Sequence, residues 1–307
     1  MPTSDAAVRN LSTQRQGPPV WLDMDQAALD AAYDQSVWAP NREQLITRHR
    51  TNSEMARTHV GAPQRYAYGA TPIEGLDVYR TPHANAPIHL FIHGGAWRAG
   101  LAAHWAFLGE LFVHAGAHFV VPDFAWVQDA GGSLLPLAAQ VRRAVAWVYR
   151  HAPCFGGDPN RIYVSGHSSG GHLAAVLLTT DWETDFHLPA DTIKGGLCCS
   201  GMFDLKPVRL SARSAYVQFT DAMEQTLSPQ RHLDTLHAPV LVAYGTCESP
   251  EFQRQARDFA AAVQAAGKPA QLLVGEGYNH FEIIETLSNP YGLLGRAVLE
   301  QMQLTQT

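Results

Sequence analysis

Hydrophobic and polar positions repeat with two different periods in this sequence, and the two periods separate strands from helices. Short β-branched and aromatic runs bounded by glycine or proline are typical of strands, whereas apolar residues repeated every three to four positions indicate helices. Residues 134–151 show the helical period, with Leu137, Val141 and Val145 on one face. Predicted strands cover residues 75–80, 88–92, 118–121, 161–165, 193–199, 240–244 and 270–274, and predicted helices cover residues 134–151, 171–179, 252–266 and 281–301.

The order of these elements predicts an α/β fold. Because strands alternate with helices, we expect a mostly parallel central sheet with helices on both faces. Residues 1–63 are polar and locally helical, with Leu29 and Tyr33 four positions apart, and they are predicted to form an N-terminal arm packed on the main body. Residues 64–307 are predicted to form one domain, in which residues 202–237 show no clear period and are interpreted as a cap-like insertion.

The segment GHSSG, residues 166–170, follows the predicted strand RIYVS and precedes a predicted helix. A GxSxG sequence in this context is typical of a nucleophile elbow, where a strained turn holds the central serine clear of the sheet. Ser168 is therefore a candidate nucleophile. The alternative is a turn rich in glycine and serine that carries no chemistry, because GxSxG is short enough to recur by chance.

A second segment, HGGAW at residues 93–97, ends the predicted strand IHLFI and resembles the HGGG-type loop of an oxyanion hole. Consecutive glycines allow backbone N–H groups to point to one place. Gly94, Gly95 and the N–H of Ser169 are therefore predicted to stabilise a tetrahedral oxyanion. His93 is interpreted as a residue that shapes this loop rather than one that reacts.

A serine nucleophile needs a base and an acid, which in this architecture follow the serine along the chain, on loops after late strands. His280 lies in GEGYNHF, just after the predicted strand QLLV, and is the candidate base. Glu248 follows the predicted strand VLVAYG and is the preferred acid. Glu251 is the competitor, although the helix dipole alone favours an acidic residue at the start of a helix.

Composition narrows the set of partners and compartments. Of the 307 residues, 46% are hydrophobic and 16% are charged, which is sufficient for a large core. The 28 acidic and 22 basic residues give a net charge of −6, so neither nucleic acid nor a membrane is expected as a partner. We recognise no secretion signal, no apolar run of roughly 20 residues that could span a bilayer, and no CxxC pair, so a cytoplasmic protein is expected.

Nucleotide-binding and metal-binding motifs are not recognised in the sequence. There is no GxxxxGK[ST], no GxGxxG at the start of a helix, no HExxH and no paired Cys/His spacing. We therefore expect neither a cofactor nor a catalytic metal. The sequence does not settle the oligomeric state, and a homodimer stays open.

Together these segments resemble the arylformamidases, or kynurenine formamidases, a branch of the α/β-hydrolases similar to the hormone-sensitive-lipase-like esterases. The resemblance implies an α/β-hydrolase fold, a catalytic triad of Ser168, Glu248 and His280, and an oxyanion hole in HGGAW and at Ser169. The family usually has Asp where this chain has Glu248, and residues 209–226 are hard to align. The matching segments are LDAAYDQSVWAPN, GLDVYR, FIHGGAWR, QVRRAVAWVYRHAPCFGGDPNRIYVSGHSSGGHLAA, SGMFDLKPV, SPEF and NHF.

The resemblance implies hydrolysis of N-formylkynurenine to kynurenine and formate, whereas the residues alone indicate acyl transfer to water through an acyl-enzyme. We expect a small aryl amide or ester as substrate. The alternative is a carboxylesterase, or an anilide or carbamate hydrolase, acting on other aryl substrates. A ligand receptor without catalytic activity on the same fold is a remote alternative.

Aromatic residues near the predicted strand ends are candidates for the walls of a flat substrate pocket. Core packing is the commoner role for each of them, and for Trp97 the two roles are about equally supported by its place beside the oxyanion loop. The candidates for substrate binding are Trp97, Phe124, Trp126 and Phe281.

Overall fold

The computed structural model describes residues 17–304, and a central eight-stranded sheet organises this part of the chain. The sheet order is β1-β2-β4-β3-β5-β6-β7-β8. The strands are β1 Gln64–Ala67, β2 Gly75–Tyr79, β3 Ala86–Ile92, β4 His118–Pro122, β5 Gly157–His167, β6 Ile193–Cys199, β7 Val240–Gly245 and β8 Ala270–Gly275. The helices are α1 Gln26–Tyr33, α2 Gln35–Trp38, α3 Arg42–Val60, α4 Ala106–His114, α5 Leu135–His151, α6 Ser169–Leu178, α7 Trp182–Phe186, α8 Leu205–Leu210, α9 Asp221–Thr226, α10 Pro250–Ala265 and α11 Leu293–Gln301.

Strand directions confirm the predicted, mostly parallel sheet. Neighbouring strands pair in parallel from β4 through β3 and β5 to β8. Among the strands described, β2 alone runs opposite to the rest, since it pairs antiparallel with both β1 and β4. The carboxyl ends of β3, β5, β6, β7 and β8 therefore lie along one edge of the sheet, where the loops that carry candidate chemistry begin.

Side chains on the strands alternate between two hydrophobic clusters, one on each face of the sheet. On β3, for example, Leu90 and Ile92 belong to the cluster that includes α5, α6 and α10. Phe91 between them belongs to the cluster that includes α4 and α11. Helices thus cover both faces, which explains why most positions of the central strands β3, β5, β6 and β7 are buried.

The structure differs from the predicted elements in several places. The helices α4 and α7 were not predicted, and β5 begins four residues before the predicted strand 161–165. The strand β1 was not predicted because its sequence, QRYA, is polar and largely exposed. The predicted helix 281–301 is instead a 3₁₀ segment, Ile283–Ser288, followed by α11. Pro290 and Gly292 lie between these two segments and interrupt the helix. Residues 202–237 show no single period because they form two short helices, α8 and α9, and three 3₁₀ turns.

The described part of the N-terminal segment, residues 17–63, contacts both the main body and the insertion. Leu29 and Tyr33 on α1 are buried in the cluster that includes α10, and the Tyr33 hydroxyl donates to Glu251 Oε1 at 3.2 Å. Asp30 Oδ1 accepts a hydrogen bond from the backbone N–H of Ala212 at 2.6 Å. The first three helices therefore lie across the same edge of the sheet as the candidate catalytic loops.

Candidate active site

A sharp turn between β5 and α6 presents Ser168. Its backbone has φ 59° and ψ −123°, a left-handed conformation that costs energy for a residue with a side chain. The turn closes only because its neighbours are glycines: a Cβ on Gly166 would lie 2.1 Å from Gly170 O, and one on Gly170 would lie 2.0 Å from Ile92 O. The GHSSG spacing is therefore a steric requirement of this turn.

Three side chains from three loops form one hydrogen-bonded chain. Ser168 Oγ lies 2.8 Å from His280 Nε2, and His280 Nδ1 lies 2.7 Å from Glu248 Oε2. Because a carboxylate only accepts, Nδ1 carries the proton, which leaves Nε2 free to accept from the serine hydroxyl. The structure thus brings together the three residues that sequence order selected, in the arrangement that general-base activation of a serine requires.

Glu248 is held through both of its oxygens. While Oε2 accepts from His280, Oε1 accepts from Ser200 Oγ at 2.6 Å and from the backbone N–H of Gly245 at 2.7 Å. The residue is 1% exposed, so these three donors together stabilise a buried negative charge. Ser200, which follows β6, has a left-handed φ of 52°. Sequence reasoning did not identify this serine as part of the site.

The competing carboxylate, Glu251, has different partners. It forms a buried ion pair with Arg254 on the next turn of α10 and accepts a hydrogen bond from Tyr33. These contacts attach α1 to α10. Glu251 therefore fixes the N-terminal segment, and the structure does not bring it to His280.

His167, directly before the nucleophile, supports the loop that carries the base. Its Nε2–H donates to the backbone carbonyl of His280 at 2.7 Å, and the two imidazole rings lie 4.7 Å apart. Burial, followed by the nearby charge of His280, holds the pKa of His167 well below its usual value. The ring is therefore neutral and positions the loop of its neighbour.

The loop after β3 approaches the serine closely. A Cβ on Gly94 would lie 3.2 Å from Ser168 Cβ, and one on Gly95, where φ is 127°, would lie 2.0 Å from Ala99 O. The backbone N–H of Trp97 donates to Ser169 Oγ at 3.2 Å, which ties this loop to the elbow. The loop that carries Gly94 and Gly95 thus lies against the turn that carries Ser168 and Ser169.

His93 and His172 stabilise the surroundings of this loop. His93 stacks on Phe124 with ring centroids 4.3 Å apart, and its Nδ1–H donates to Gly94 O at 3.0 Å. His172 Nδ1 accepts from the Trp97 indole at 3.2 Å, and its Nε2–H donates to Leu227 O at 2.7 Å. Burial lowers the pKa of His172 to about 4, so the neutral ring connects the oxyanion loop to the insertion.

A cavity of about 500 Å³ opens in front of Ser168, and three parts of the chain form its walls. The elbow and the catalytic loops supply one wall, including His280 and Phe281. The N-terminal segment and the insertion supply the others, so the cavity is incomplete without them. Wall residues from these two parts and the loop after β3 include Tyr33, Asp34, Arg42, His49, Arg98, Trp105, Arg213 and Tyr216.

Of the four aromatic residues predicted to bind substrate, only Phe281 lines this cavity. Trp97 and Phe124 are 1% and 3% exposed and pack in the core, because the left-handed φ of Trp97, 61°, turns its ring toward His172. Trp126 is half-buried, and its indole N–H donates to Gly100 O at 3.0 Å. The structure therefore does not place these three residues in the cavity wall, and Trp97 and Phe124 belong to the hydrophobic core.

Across residues 17–304, no group of three or more His, Cys, Asp or Glu side chains is placed to hold a metal ion. No helix within those residues combines the length and apolar character needed to cross a membrane.

Comparison with known proteins finds similar sequences along nearly the whole chain. The BD-FAE family model matches residues 76–196. Kynurenine formamidase of Danio rerio is 29% identical over 92% of this chain and 98% of its own length, and kynurenine formamidase of Salmo salar has the same identity and coverage. Esterase LipC of Mycobacterium tuberculosis is 28% identical over 67% of this chain and 56% of its own length.

Comparison with solved structures finds the same fold. A structure from Silicibacter sp. TM1040 superposes with a TM-score of 0.76 at 22% identity, covering 86% of this chain and 95% of the other. Esterase LipW of Mycobacterium marinum superposes with a TM-score of 0.67 at 17% identity, covering 90% and 92% of the two chains.

Proposed function

This chain is a hydrolase of the α/β-hydrolase fold related to the kynurenine formamidases, and we propose that it cleaves an aryl formamide, N-formylkynurenine in particular, to the aryl amine and formate. The observation that carries the proposal is the hydrogen-bonded chain from Ser168 through His280 to Glu248 at the wall of the cavity. The choice of a formamide rests on the sequence similarity to the two fish enzymes over nearly their full length.

Acylation follows from the hydrogen bonds around Ser168. His280 Nε2 takes the proton of Ser168 as Oγ attacks the formyl carbon, and the carbonyl oxygen becomes an oxyanion. The N–H groups of Gly94, Gly95 and Ser169 stabilise that charge, and each such donor is typically worth about 10² to 10³ in rate. His280 then gives the proton to the leaving nitrogen, so the C–N bond breaks and the amine departs neutral.

Deacylation repeats these steps with water as the nucleophile. His280 takes a proton from water as the water oxygen attacks the formyl ester on Ser168. Collapse of the second tetrahedral intermediate returns the proton to Oγ and releases formic acid, which loses its remaining acidic proton to solvent and becomes formate. Throughout, Glu248 stays ionised and stabilises the imidazolium through the Nδ1–H bond.

The acyl group distinguishes a formamidase from an esterase. The oxyanion loop comes so close to the nucleophile that a Cβ on Gly94 would lie 3.2 Å from Ser168 Cβ, which favours a small acyl group. We expect kcat/KM to fall steadily from formyl through acetyl and butyryl to hexanoyl, for derivatives of one aryl amine and of one phenol. An esterase pocket would instead gain up to about 0.8 kcal/mol for each buried methylene.

The measurement is a set of initial rates for the two acyl series, with Ser168→Ala as the control for background hydrolysis. We expect this variant to lose about 10⁴ to 10⁶ in kcat while remaining folded. A maximum of kcat/KM at butyryl or beyond would assign the protein to the carboxylesterases. A Ser168→Ala variant with a tenth of the parent activity would remove Ser168 from the mechanism.

We also propose that the protein works in the cytoplasm. All four cysteines are free thiols, and two of them, Cys154 and Cys247, are exposed. Exposed free thiols are typical of a reducing compartment. Fractionation of the source cells followed by immunodetection tests this proposal, and recovery of the protein outside the cytoplasm would contradict it.

A further inference from the structure

A buried arginine in the cavity wall has no acidic partner among the described residues. Arg213 lies in the 3₁₀ turn Ala212–Ala215 of the insertion, is 7% exposed and lines the same cavity as Ser168. A guanidinium stays charged at every accessible pH, and leaving such a charge buried without a counter-ion is costly. Within residues 17–304, none of the ion pairs includes Arg213.

Neutral groups hold the guanidinium in place. Nη1 donates to the Tyr216 hydroxyl at 2.9 Å and Nη2 donates to the backbone carbonyl of Tyr33 at 3.1 Å, while Nε is buried with no hydrogen-bond partner. The guanidinium carbon lies 5.6 Å from the ring centre of Trp97 and 5.8 Å from that of Tyr33. Aromatic faces attract a cation but do not neutralise it, so the positive charge persists at the cavity wall.

A second arginine, Arg98, lies over the ring of Tyr216. The Arg98 guanidinium carbon lies 4.7 Å from the Tyr216 ring centre, and Arg98 also lines the cavity. Tyr216 therefore contacts both guanidinium groups, one through its hydroxyl and one through its ring. This part of the wall presents two positive charges in a protein whose net charge is −6.

Three acidic residues of the neighbouring wall, Asp30, Asp34 and Glu43, have other partners, and Glu43 pairs with Arg42. Asp30 Oδ1 accepts from the Ala212 N–H and from the Gln26 amide. Asp34 Oδ1 accepts from the hydroxyl and the N–H of Ser36. The pKa of Asp34 is lowered chiefly by its hydrogen bond to the Ser36 hydroxyl, and the charge of Arg213 is the smallest of the contributing causes. The charge of Arg213 thus contributes to the lowered pKa of Asp34, although the two side chains form no ion pair.

We propose that Arg213, with Arg98 beside it across the Tyr216 ring, binds a carboxylate carried by the leaving group of the substrate. This inference rests on the proposed function for the assignment to the leaving group: a formyl group has no atom that could carry a carboxylate. The reacting carbon must lie against Ser168 and Gly94, and the rest of the substrate extends toward the arm and the insertion, where Arg213 lies. The substrate class is therefore an anionic aryl formamide.

The test compares two substrates that differ only in charge. They are 4-(2-formamidophenyl)-4-oxobutanoate and its primary carboxamide, assayed with the parent enzyme and with Arg213→Gln and Arg213→Lys. We expect the parent to prefer the carboxylate, and Arg213→Gln to lower kcat/KM for the carboxylate by about 30- to 300-fold. The carboxamide should change by less than about threefold, so that the preference disappears. Arg213→Lys keeps the positive charge and should therefore retain part of the preference for the carboxylate.

The matched control is Arg209→Gln, because Arg209 belongs to the same insertion but pairs with Asp221 and Glu224 away from the cavity. It should leave the ratio of the two kcat/KM values unchanged. An equal fall for both substrates in Arg213→Gln would show a purely structural role and overturn the proposal. If Arg213→Gln does not fold, the parent enzyme still decides the matter, since equal kcat/KM values for carboxylate and carboxamide also overturn it.

A second measurement separates this inference from the proposed formamidase activity. It uses 4-oxo-4-phenylbutanoate and its primary amide as competitive inhibitors of p-nitrophenyl acetate hydrolysis and compares their inhibition constants. In the parent enzyme, we expect the inhibition constant of the carboxylate to be at least about tenfold lower than that of the amide. In Arg213→Gln, we expect the two inhibition constants to be equal. This result without formamide cleavage would refute the proposed function and keep the anion site, whereas formamide cleavage with equal inhibition by both compounds would do the reverse.

Discussion

The carboxylate of Glu248 shows how a glutamate fits beside the base. Its extra methylene is accommodated because Ser200 and the Gly245 N–H hold Oε1 while Oε2 reaches His280. Ser200 directly follows β6 and Gly245 ends β7, so the ends of two adjacent strands hold the carboxylate beside the imidazole. These hydrogen bonds hold the Glu248 carboxylate beside the His280 ring, so its negative charge lies where an imidazolium would form.

Replacing Glu248 by Gln should remove the charge with little change in shape. The amide neither orients the Nδ1–H tautomer reliably nor stabilises the imidazolium, so kcat should fall by about 10³ to 10⁴. The measurement is kcat for a simple formanilide. Glu251→Gln is the control: kcat should stay within about threefold, while the melting temperature falls because the ion pair with Arg254 and the contact with Tyr33 are weakened. The opposite pattern would exchange the two roles.

Sequence reasoning selected the hydrogen-bonded trio because its signals are local. Ser168 lies between glycines that a tight turn requires, and Glu248 and His280 lie on the loops that follow the last two strands. Arg213, Tyr33 and the other wall residues give no such signal. They come to the cavity through the packing of the arm and the insertion, which no periodicity describes.

Among the elements, α3 has a direct connection to the loop of the base. Asn41, just before α3, donates through Nδ2 to Glu282 Oε1 and accepts from Asn279 Nδ2, both at 2.9 Å. Asn279 and Glu282 flank His280, and the Glu282 carboxylate also accepts from the Asn279 N–H at 3.0 Å. The arm therefore helps to hold the catalytic loop as well as forming a cavity wall.

Asn41→Ala should loosen this loop without touching the reacting groups. Two hydrogen bonds are lost, each worth about 0.5 to 1.5 kcal/mol, so we expect kcat/KM to fall by about three- to thirtyfold and limited proteolysis near residue 280 to accelerate. Thr51→Ala is the control on the same helix, since the Thr51 hydroxyl only donates to Thr47 O within α3. Parent-like activity and proteolysis in Asn41→Ala would show that the arm does not support the loop.

Apolar runs identified the central strands, but burial alone was not sufficient, because the largely buried helix α4 was not predicted. The strands β3 and β7 are buried at every position, and their apolar runs marked them clearly. The strand β1 lies at the sheet edge with little apolar surface, so alternation carried no information. The final helix breaks at Pro290, inside a pattern whose apolar residues continue on both sides.

Across the whole molecule, several imidazoles are buried as neutral groups. His89 stacks on Phe112 with ring centroids 3.9 Å apart, and its Nε2 lies 2.6 Å from Ser165 Oγ. Burial lowers the pKa of His89 to about 3 and that of His172 to about 4, and it also lowers the pKa of His167. In the unfolded chain each of these rings regains a pKa near its usual value of about 6.5.

The fold should therefore lose stability in acid over a defined range. Between about pH 4 and 6 the unfolded chain binds more protons than the folded one, so the free energy of unfolding falls as pH falls, by up to about 1.4 kcal/mol per pH unit for each such ring. His89→Phe combined with Ser165→Ala should reduce this slope by that amount, because one titrating group is removed and no hydroxyl is left unpaired. Urea unfolding at several pH values between 4 and 6 measures the slope. Ser165→Ala alone is the control, with lower stability and an unchanged slope, and a double variant with the parent slope would show that His89 is already protonated in the folded protein.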